Sequence, residues 1–192
     1  MRKSVLDYIL RIYLPVTLLI VFTSYAVTYY VSRNERYNVG YTPTQPINYS
    51  HELHAGKMGI DCQYCHTGVN KSRHANVPSA DTCMNCHEVA RTDKPEIQKL
   101  TQYYKENKPI PWKRIHKLPE HVYFNHSVHV NKGLECQECH GEIQEMAVVG
   151  QQKPFMMSDC LECHRTAPEK YPHLTKLTGL GYGPENCAAC HR

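Results

Sequence analysis

Phenylalanine occurs only 3 times in the 192 residues and tryptophan once, and mean hydropathy is −0.55. A chain of this size has room for one ordinary domain, but this composition excludes a thick apolar core built from its own side chains. A charge excess is missing too. The 22 Lys and Arg against 18 Asp and Glu leave a formal net charge of +4, too small to argue for nucleic acid as a partner. Nor is there a spare cysteine, because five short motifs account for every one of them.

Those motifs are copies of Cys-x-x-Cys-His. Cys62 and Cys65 precede His66, Cys83 and Cys86 precede His87, and Cys136 and Cys139 precede His140. Cys160 and Cys163 precede His164, and Cys187 and Cys190 precede His191. This is the attachment signature of c-type haem. On one helical turn, cysteines at i and i+3 point the same way. Their sulfurs can bond both vinyl edges of one porphyrin, and the next residue supplies the proximal iron ligand. Zinc and disulfides are the competing chemistries. Paired Cys-x-x-Cys units build four-cysteine zinc sites, but five pairs leave one without a partner. Neither alternative explains a histidine at one fixed offset. With 13 His in 192 residues, five in a row is roughly a one-in-a-million coincidence on composition. We therefore expect five covalently bound haem c groups. They would supply the apolar interior that the side chains lack, and without them the chain buries too little to offset its conformational entropy.

Ile12 to Ser32 is a run of 21 uncharged residues between Arg11 and Arg33. At about 1.5 Å per residue such a helix spans a bilayer core of about 30 Å. Tyr8 and Tyr13 near one end, and Tyr25, Tyr29 and Tyr30 near the other, suit the interfaces. The run exceeds the apolar stretch of about 7–15 residues in a cleaved signal peptide. It reads as a retained signal-anchor, with residues 1–11 cytoplasmic. Arg2, Lys3 and Arg11 favour that orientation, against Arg33 and Arg36. Covalent haem attachment happens outside the cytoplasmic membrane, so residues 33–192 are expected on the periplasmic side of a bacterial inner membrane, held by one span and in contact with lipid. Residues 33–46, rich in Tyr and Pro, read as an extended arm.

Residues 47–192 contain an internal repeat. Tyr49-Ser50-His51-Glu52-Leu53-His54, then Gly59-Ile60-Asp61-Cys62-Gln63, matches Phe124-Asn125-His126-Ser127-Val128-His129, then Gly133-Leu134-Glu135-Cys136-Gln137, with a spacer one residue longer in the first copy. A second Cys-x-x-Cys-His follows each copy. The expected organisation is a two-haem module at 47–90, a linker at 91–121, a second module at 122–166 and a fifth haem at 167–192. In the linker, Asp93 and Pro95 read as a helix start, with Ile97, Leu100 and Tyr104 on one face. The fold class expected is mostly α and irregular, with one transmembrane helix, little regular secondary structure and haems as the core.

In each His-x-x-His pair, one imidazole can cap the haem that follows, while the other must reach a neighbouring haem. His51, His54, His126 and His129 thus supply four distal ligands. The fifth comes from His74, His116, His121, His173, Met146, Met156 or Met157, with His116 and Met146 the leading candidates. A methionine there would raise that haem's potential.

Phe124-Asn125-His126-x-x-His129 ahead of Cys-x-x-Cys-His resembles the cytochrome c3/c7 family. The order of parts is closer still to the membrane-anchored pentahaem cytochromes of alternative complex III. The stretches that carry this are His51-x-x-His54-x-Gly56, Pro95 to Leu100, Pro111-Trp112 through His116-x-Leu118-Pro119 to Val122-Tyr123-Phe124-Asn125-His126, and Cys163-His164-Arg165. That resemblance implies a quinol-oxidising assembly. Its partners would be an iron–sulfur subunit of the molybdopterin-oxidoreductase type, multi-span quinol-binding subunits and a monohaem cytochrome c, delivering electrons to a cytochrome c or a terminal oxidase. The chain itself would be an electron-transfer subunit with no substrate site. A self-sufficient, membrane-anchored quinol dehydrogenase feeding a periplasmic reductase is the alternative. An enzyme of the pentahaem nitrite-reductase kind is disfavoured, because those chains resemble one another in replacing one proximal His by Lys and all five positions here are His.

Overall fold

A computed structural model describes residues 5–32 and 38–191. The chain divides into two compact units, Met1–Tyr37 and Asn38–Arg192. The charges at Arg2, Lys3, Arg33 and Arg36, and the start of the arm, lie outside the described residues.

The first unit is helical from α1 (Val5–Tyr8) through a π-helical segment (Ile9–Tyr13) to α2 (Leu14–Ser32). It begins seven residues before the uncharged run does. Asp7 and Arg11, one turn apart, pair at 2.6 Å, so the charged turn continues the helix instead of ending it. Val5–Val31 contains an 18-residue window of mean hydropathy 1.9 and is long and apolar enough to cross a membrane. None of its apolar window is buried.

The second unit is mostly helical and irregular. Among the described residues there is no strand, only an isolated bridge between Val39 and Gln151. Its short helices are α3 (Cys62–Cys65), α4 (Ala80–His87), α5 (Pro95–Lys105), α6 (His126–Val130), α7 (Gln137–His140), α8 (Met157–Lys170), α9 (Pro172–Thr178) and α10 (Cys187–Cys190). Two small apolar clusters sit among them. One joins Ile47, Ala80, Met84, Leu100 and Ile110, with Ile97, Tyr103 and Trp112 against it. The other joins Ala167, Tyr171, Leu174 and Leu180, with Leu134 against it. With two such small clusters, side chains alone leave this domain thinly packed.

The linker helix starts at Pro95 with Lys94 as its cap, one residue later than Asp93 suggests. The fixed φ of Pro95 suits the first helical position, which makes the residue before it the cap. Leu100 is its buried anchor. Ile97 and Tyr103, three residues to either side, pack with it, while Tyr104 turns outward at 38% exposure. Residues 41–50 run over this linker without regular structure. The Gln45 side chain donates to Lys113 O and accepts from Lys113 N, both at 2.9 Å, and Asn48 N donates to Glu96 at 2.8 Å.

Gln151 is fully buried. Its backbone carbonyl accepts from Gly40 N at 2.9 Å, its Oε1 accepts from Lys117 N at 3.0 Å, and its Nε2 donates to Lys153 O at 2.8 Å. One residue thus ties the arm, the linker and the second module together, the arm through its backbone carbonyl and the other two through its side-chain amide. Gln151→Leu leaves the Lys117 and Lys153 backbone groups without those partners, at an expected cost of about 1–3 kcal/mol. The check is the unfolding midpoint of the haem-loaded protein, which should fall. An unchanged midpoint would mean the tie is dispensable.

Candidate haem-binding sites

Every Cys-x-x-Cys-His motif sits on a helical turn. Motifs 1 and 5 are α3 and α10, motif 3 is α7 with Cys136 as its cap, and motifs 2 and 4 lie within α4 and α8. Local side chains start these turns. Asp61 accepts from Gln63 N at 2.7 Å, and Asn186 accepts from Ala189 N at 3.0 Å, the usual role of Asp and Asn at a helix start. No two of the ten cysteines are joined in a disulfide. Among the described residues no group of three or more His, Cys, Asp or Glu could hold a metal ion.

The histidines meet in pairs across the chain. Ring centres of His51 and His66 lie 6.5 Å apart and 2° from parallel. His54 and His87 lie at 6.2 Å, His126 and His140 at 6.4 Å and 1°, and His129 and His164 at 6.2 Å and 22°. A metal–nitrogen bond of about 2.0–2.1 Å on each side, plus about 1.1 Å from nitrogen to ring centre, sets two trans imidazoles about 6.3 Å apart. All four pairs fit that span. The first His of each His-x-x-His faces the motif that follows it, and the second faces the next motif along.

Backbone carbonyls hold most of these rings from behind. Nδ1 of His66, His87 and His164 meets the carbonyls of Asn76, Ala90 and Pro184 at 2.7, 3.0 and 2.8 Å. Nδ1 of His54, His126 and His129 meets those of Ser50, Arg73 and Asn125 at 2.9, 2.8 and 2.8 Å. A carbonyl only accepts, so each Nδ1 carries the proton and each Nε2 is left bare, the tautomer a metal-binding histidine needs. His191 follows suit, with Nδ1 donating to the His121 carbonyl at 3.1 Å. Burial, reinforced by neighbouring imidazoles, pushes His51 down to about 4 and His140 to about 3. Both rings are neutral at pH 7, the form that ligates.

The fifth motif is faced by His121, whose ring lies 5.3 Å from that of His191 and 24° from parallel. His116 is elsewhere. It stands edge-on to His140 at 4.3 Å, too close to share a metal with it across a gap of about 6.3 Å. Met146 lies against the first module, its carbonyl accepting from Glu52 N at 3.0 Å. Sequence spacing could not separate His121 from His116, because the partner of His121 lies 70 residues away.

Among the described residues, three buried side-chain nitrogens have no hydrogen-bond partner: His51 Nδ1, Trp112 Nε1 and His116 Nε2. Orphaned polar groups in a folded interior are rare. These three sit beside the attachment turns: His51 faces His66, His116 faces His140, and Trp112 packs against the cluster that includes Cys83. Together with the four matched ring gaps, they show that the residues present suit a prosthetic group between the rings.

The repeat holds in three dimensions. Tyr49 is edge-on to His51 and stacked on His54, at 4.8 and 4.5 Å. Phe124 does the same to His126 and His129, at 4.9 and 4.5 Å. Ser50 and Asn125 occupy the same capping place, accepting from Leu53 N and Ser127 N, both at 3.1 Å. The extra residue of the first copy is absorbed by a π-helical turn, Glu52–Lys57, closed by Met58 N donating to Leu53 O at 3.0 Å, the usual way a helix accommodates one inserted residue. Gly59 and Gly133 then turn both chains at φ +66° and +85°, conformations that favour glycine. Gly183, which carried no sequence signal, is a site residue: a Cβ there would stand 2.3 Å from the His164 ring.

Comparison with known proteins agrees with this geometry. The family model for cytochrome c7 and related cytochrome c matches residues 122–192. Over 97 residues the chain is 33% identical to the menaquinone reductase multiheme cytochrome c subunit of Nitratidesulfovibrio vulgaris, covering 50% of this chain and 45% of that one. Over 120 residues it is 29% identical to the acrylate reductase cytochrome subunit of Shewanella woodyi, covering 62% of this chain and 76% of that one. The chain thus spans less than half the length of the first of these relatives. Motifs 3, 4 and 5 lie inside the matched region, and the first module repeats the start of it. Residues 122–192 are thus cytochrome c7-like, a likeness that implies covalently bound c-type haem.

Proposed function

We propose that the chain is an electron-transfer subunit of a membrane quinone-oxidoreductase complex, carrying five haems and relaying electrons from a quinol-oxidising assembly of the alternative complex III kind toward a cytochrome c or a terminal oxidase. The observation that carries this reading is that every attachment turn is met by a second imidazole. An iron held on both sides has no open position for a substrate, and its chemistry is one-electron oxidation and reduction. His66, His87, His140, His164 and His191 are the proximal ligands. His51, His54, His126 and His129 are distal ligands, and His121 is the fifth, opposite His191, after a ring movement of about 1 Å to open that gap to the span a metal needs. Carbonyls behind seven of these ten rings fix their tautomers, and the ten cysteines tether the porphyrins.

Likeness to a menaquinone reductase subunit supports a quinone-linked complex. The wording of the linker, Pro111-Trp112 to His126, supports alternative complex III in particular. On that reading the partners are an iron–sulfur subunit of the molybdopterin-oxidoreductase type, multi-span quinol-binding subunits and a monohaem cytochrome c. The Val5–Val31 helix supports single-pass anchoring in a bacterial inner membrane, with the haem domain on the periplasmic side. The likeness to an acrylate reductase cytochrome subunit favours one second reading, delivery of electrons from quinol to a periplasmic reductase.

Two measurements test this. Purified alone in detergent, the chain should not oxidise a menaquinol analogue, whereas the complex drawn from native membrane with it should. Quinol oxidation by the isolated chain would select the second reading. For the ligands, the reduced protein should bind no carbon monoxide. His121→Ala should open one iron in five to it, and His116→Ala none. Carbon monoxide binding by His116→Ala but not by His121→Ala would reverse the assignment.

A further inference from the structure

The five attachment motifs are not arranged in space as they are along the chain. We infer that they are ordered 2–1–3–4–5, so that the two modules join through motifs 1 and 3 while motifs 2 and 5 form the two ends of the electron path. This rests on the reading above, that each motif carries a haem.

Motifs 1 and 2 touch directly. Asn85, inside motif 2, donates to the Tyr64 hydroxyl, inside motif 1, at 3.0 Å, and Tyr49 lies against both His51 and His54. Chain order would next place motif 2 against motif 3, but the linker prevents it. Helix α5 and Ile110 fold back onto Ala80 and Met84, with Cys83 and Trp112 in the same cluster. That packing covers a side of motif 2 and closes one end of the array.

Motif 1 faces motif 3 instead, and three contacts fix this junction. Glu52 N, between the two distal histidines of the first module, donates to Met146 O just beyond motif 3 at 3.0 Å. Gly56 lies so close to Gln144 that a Cβ would stand 2.3 Å from its carbonyl oxygen. The His126 ring, opposite motif 3, is held by Arg73 O, in the loop that follows motif 1, at 2.8 Å. A glycine is needed at position 56 because the first distal turn presses onto the 3-10 turn Ile143–Glu145 that follows motif 3.

Motif 3 leads to motif 4 through Phe124, which lies against His126 and His129 as Tyr49 does in the first module. Motif 4 leads to motif 5 through the segment just before Cys187. Gly183 N donates to His164 O at 2.9 Å, His164 Nδ1 to Pro184 O at 2.8 Å, and Arg165 pairs with Glu185 at 2.8 Å. Electron hopping between porphyrins favours the nearest neighbour. A path that starts at motif 2 therefore crosses between modules at motif 1, the first motif in the chain.

The test is the set of iron positions in crystals of the full haem-loaded protein, located by anomalous scattering at the iron edge and assigned to motifs from the chain trace. The inference expects the motif 3 iron to have the motif 1 and motif 4 irons as its two nearest neighbours, and the motif 2 iron to have only motif 1 beside it. Five irons with motif 2 next to motif 3, or with motif 1 at an end, would overturn the order and leave the five-haem reading intact. A motif without iron would overturn that reading, and the order with it.

Discussion

Two imidazoles that share a metal must face each other across a gap of about 6.3 Å, and neither ring can be left to find its own orientation. This chain meets that requirement with backbone. Seven histidines have Nδ1 on a carbonyl, three of those carbonyls within four residues and four farther along the chain. The near carbonyls come from helical turns that the local sequence starts. The distant ones come from loops of other segments, so ring placement and the fold of the domain are one problem. A chain with 3 Phe and 1 Trp cannot position such rings by apolar packing, and its two small clusters lie beside motif 2 and beyond motif 4.

The two modules show how tolerant that solution is. One aromatic residue fills the same space between two imidazoles in each, Tyr49 in the first and Phe124 in the second. A residue added to the first copy changes an α-turn into a π-turn without moving the rings out of register, since His51–His66 and His126–His140 differ by only 0.1 Å, at 6.5 and 6.4 Å. Where the modules meet, the tolerance ends. Gly56 against Gln144 and Gly183 against the His164 ring leave no room for a methyl group.

Local features were legible in the sequence. The turn under each motif and the helix after Pro95 follow from residues within a few positions. The face of that helix was half legible: Ile97 and Leu100 point inward, but Tyr103 and not Tyr104 joins them, because the cluster lies on the i+3 side of Leu100. The apolar run was legible, but its start was not, because the Asp7–Arg11 pair hides two charges inside the helix. His121 could not be told from His116, nor motif 1 be placed beside motif 3. Both depend on contacts between residues about 50 to 95 positions apart, and spacing in a sequence carries no information about those.

The central claim is that five porphyrins, each fastened by two thioether bonds, complete the interior of this domain. The most direct test is the intact mass of the protein from native membrane. The account predicts the mass of the polypeptide plus five haems, retained after acid and organic solvent strip any group that is not covalently bound. A mass lacking one or more of the five, or a colourless preparation, would contradict it.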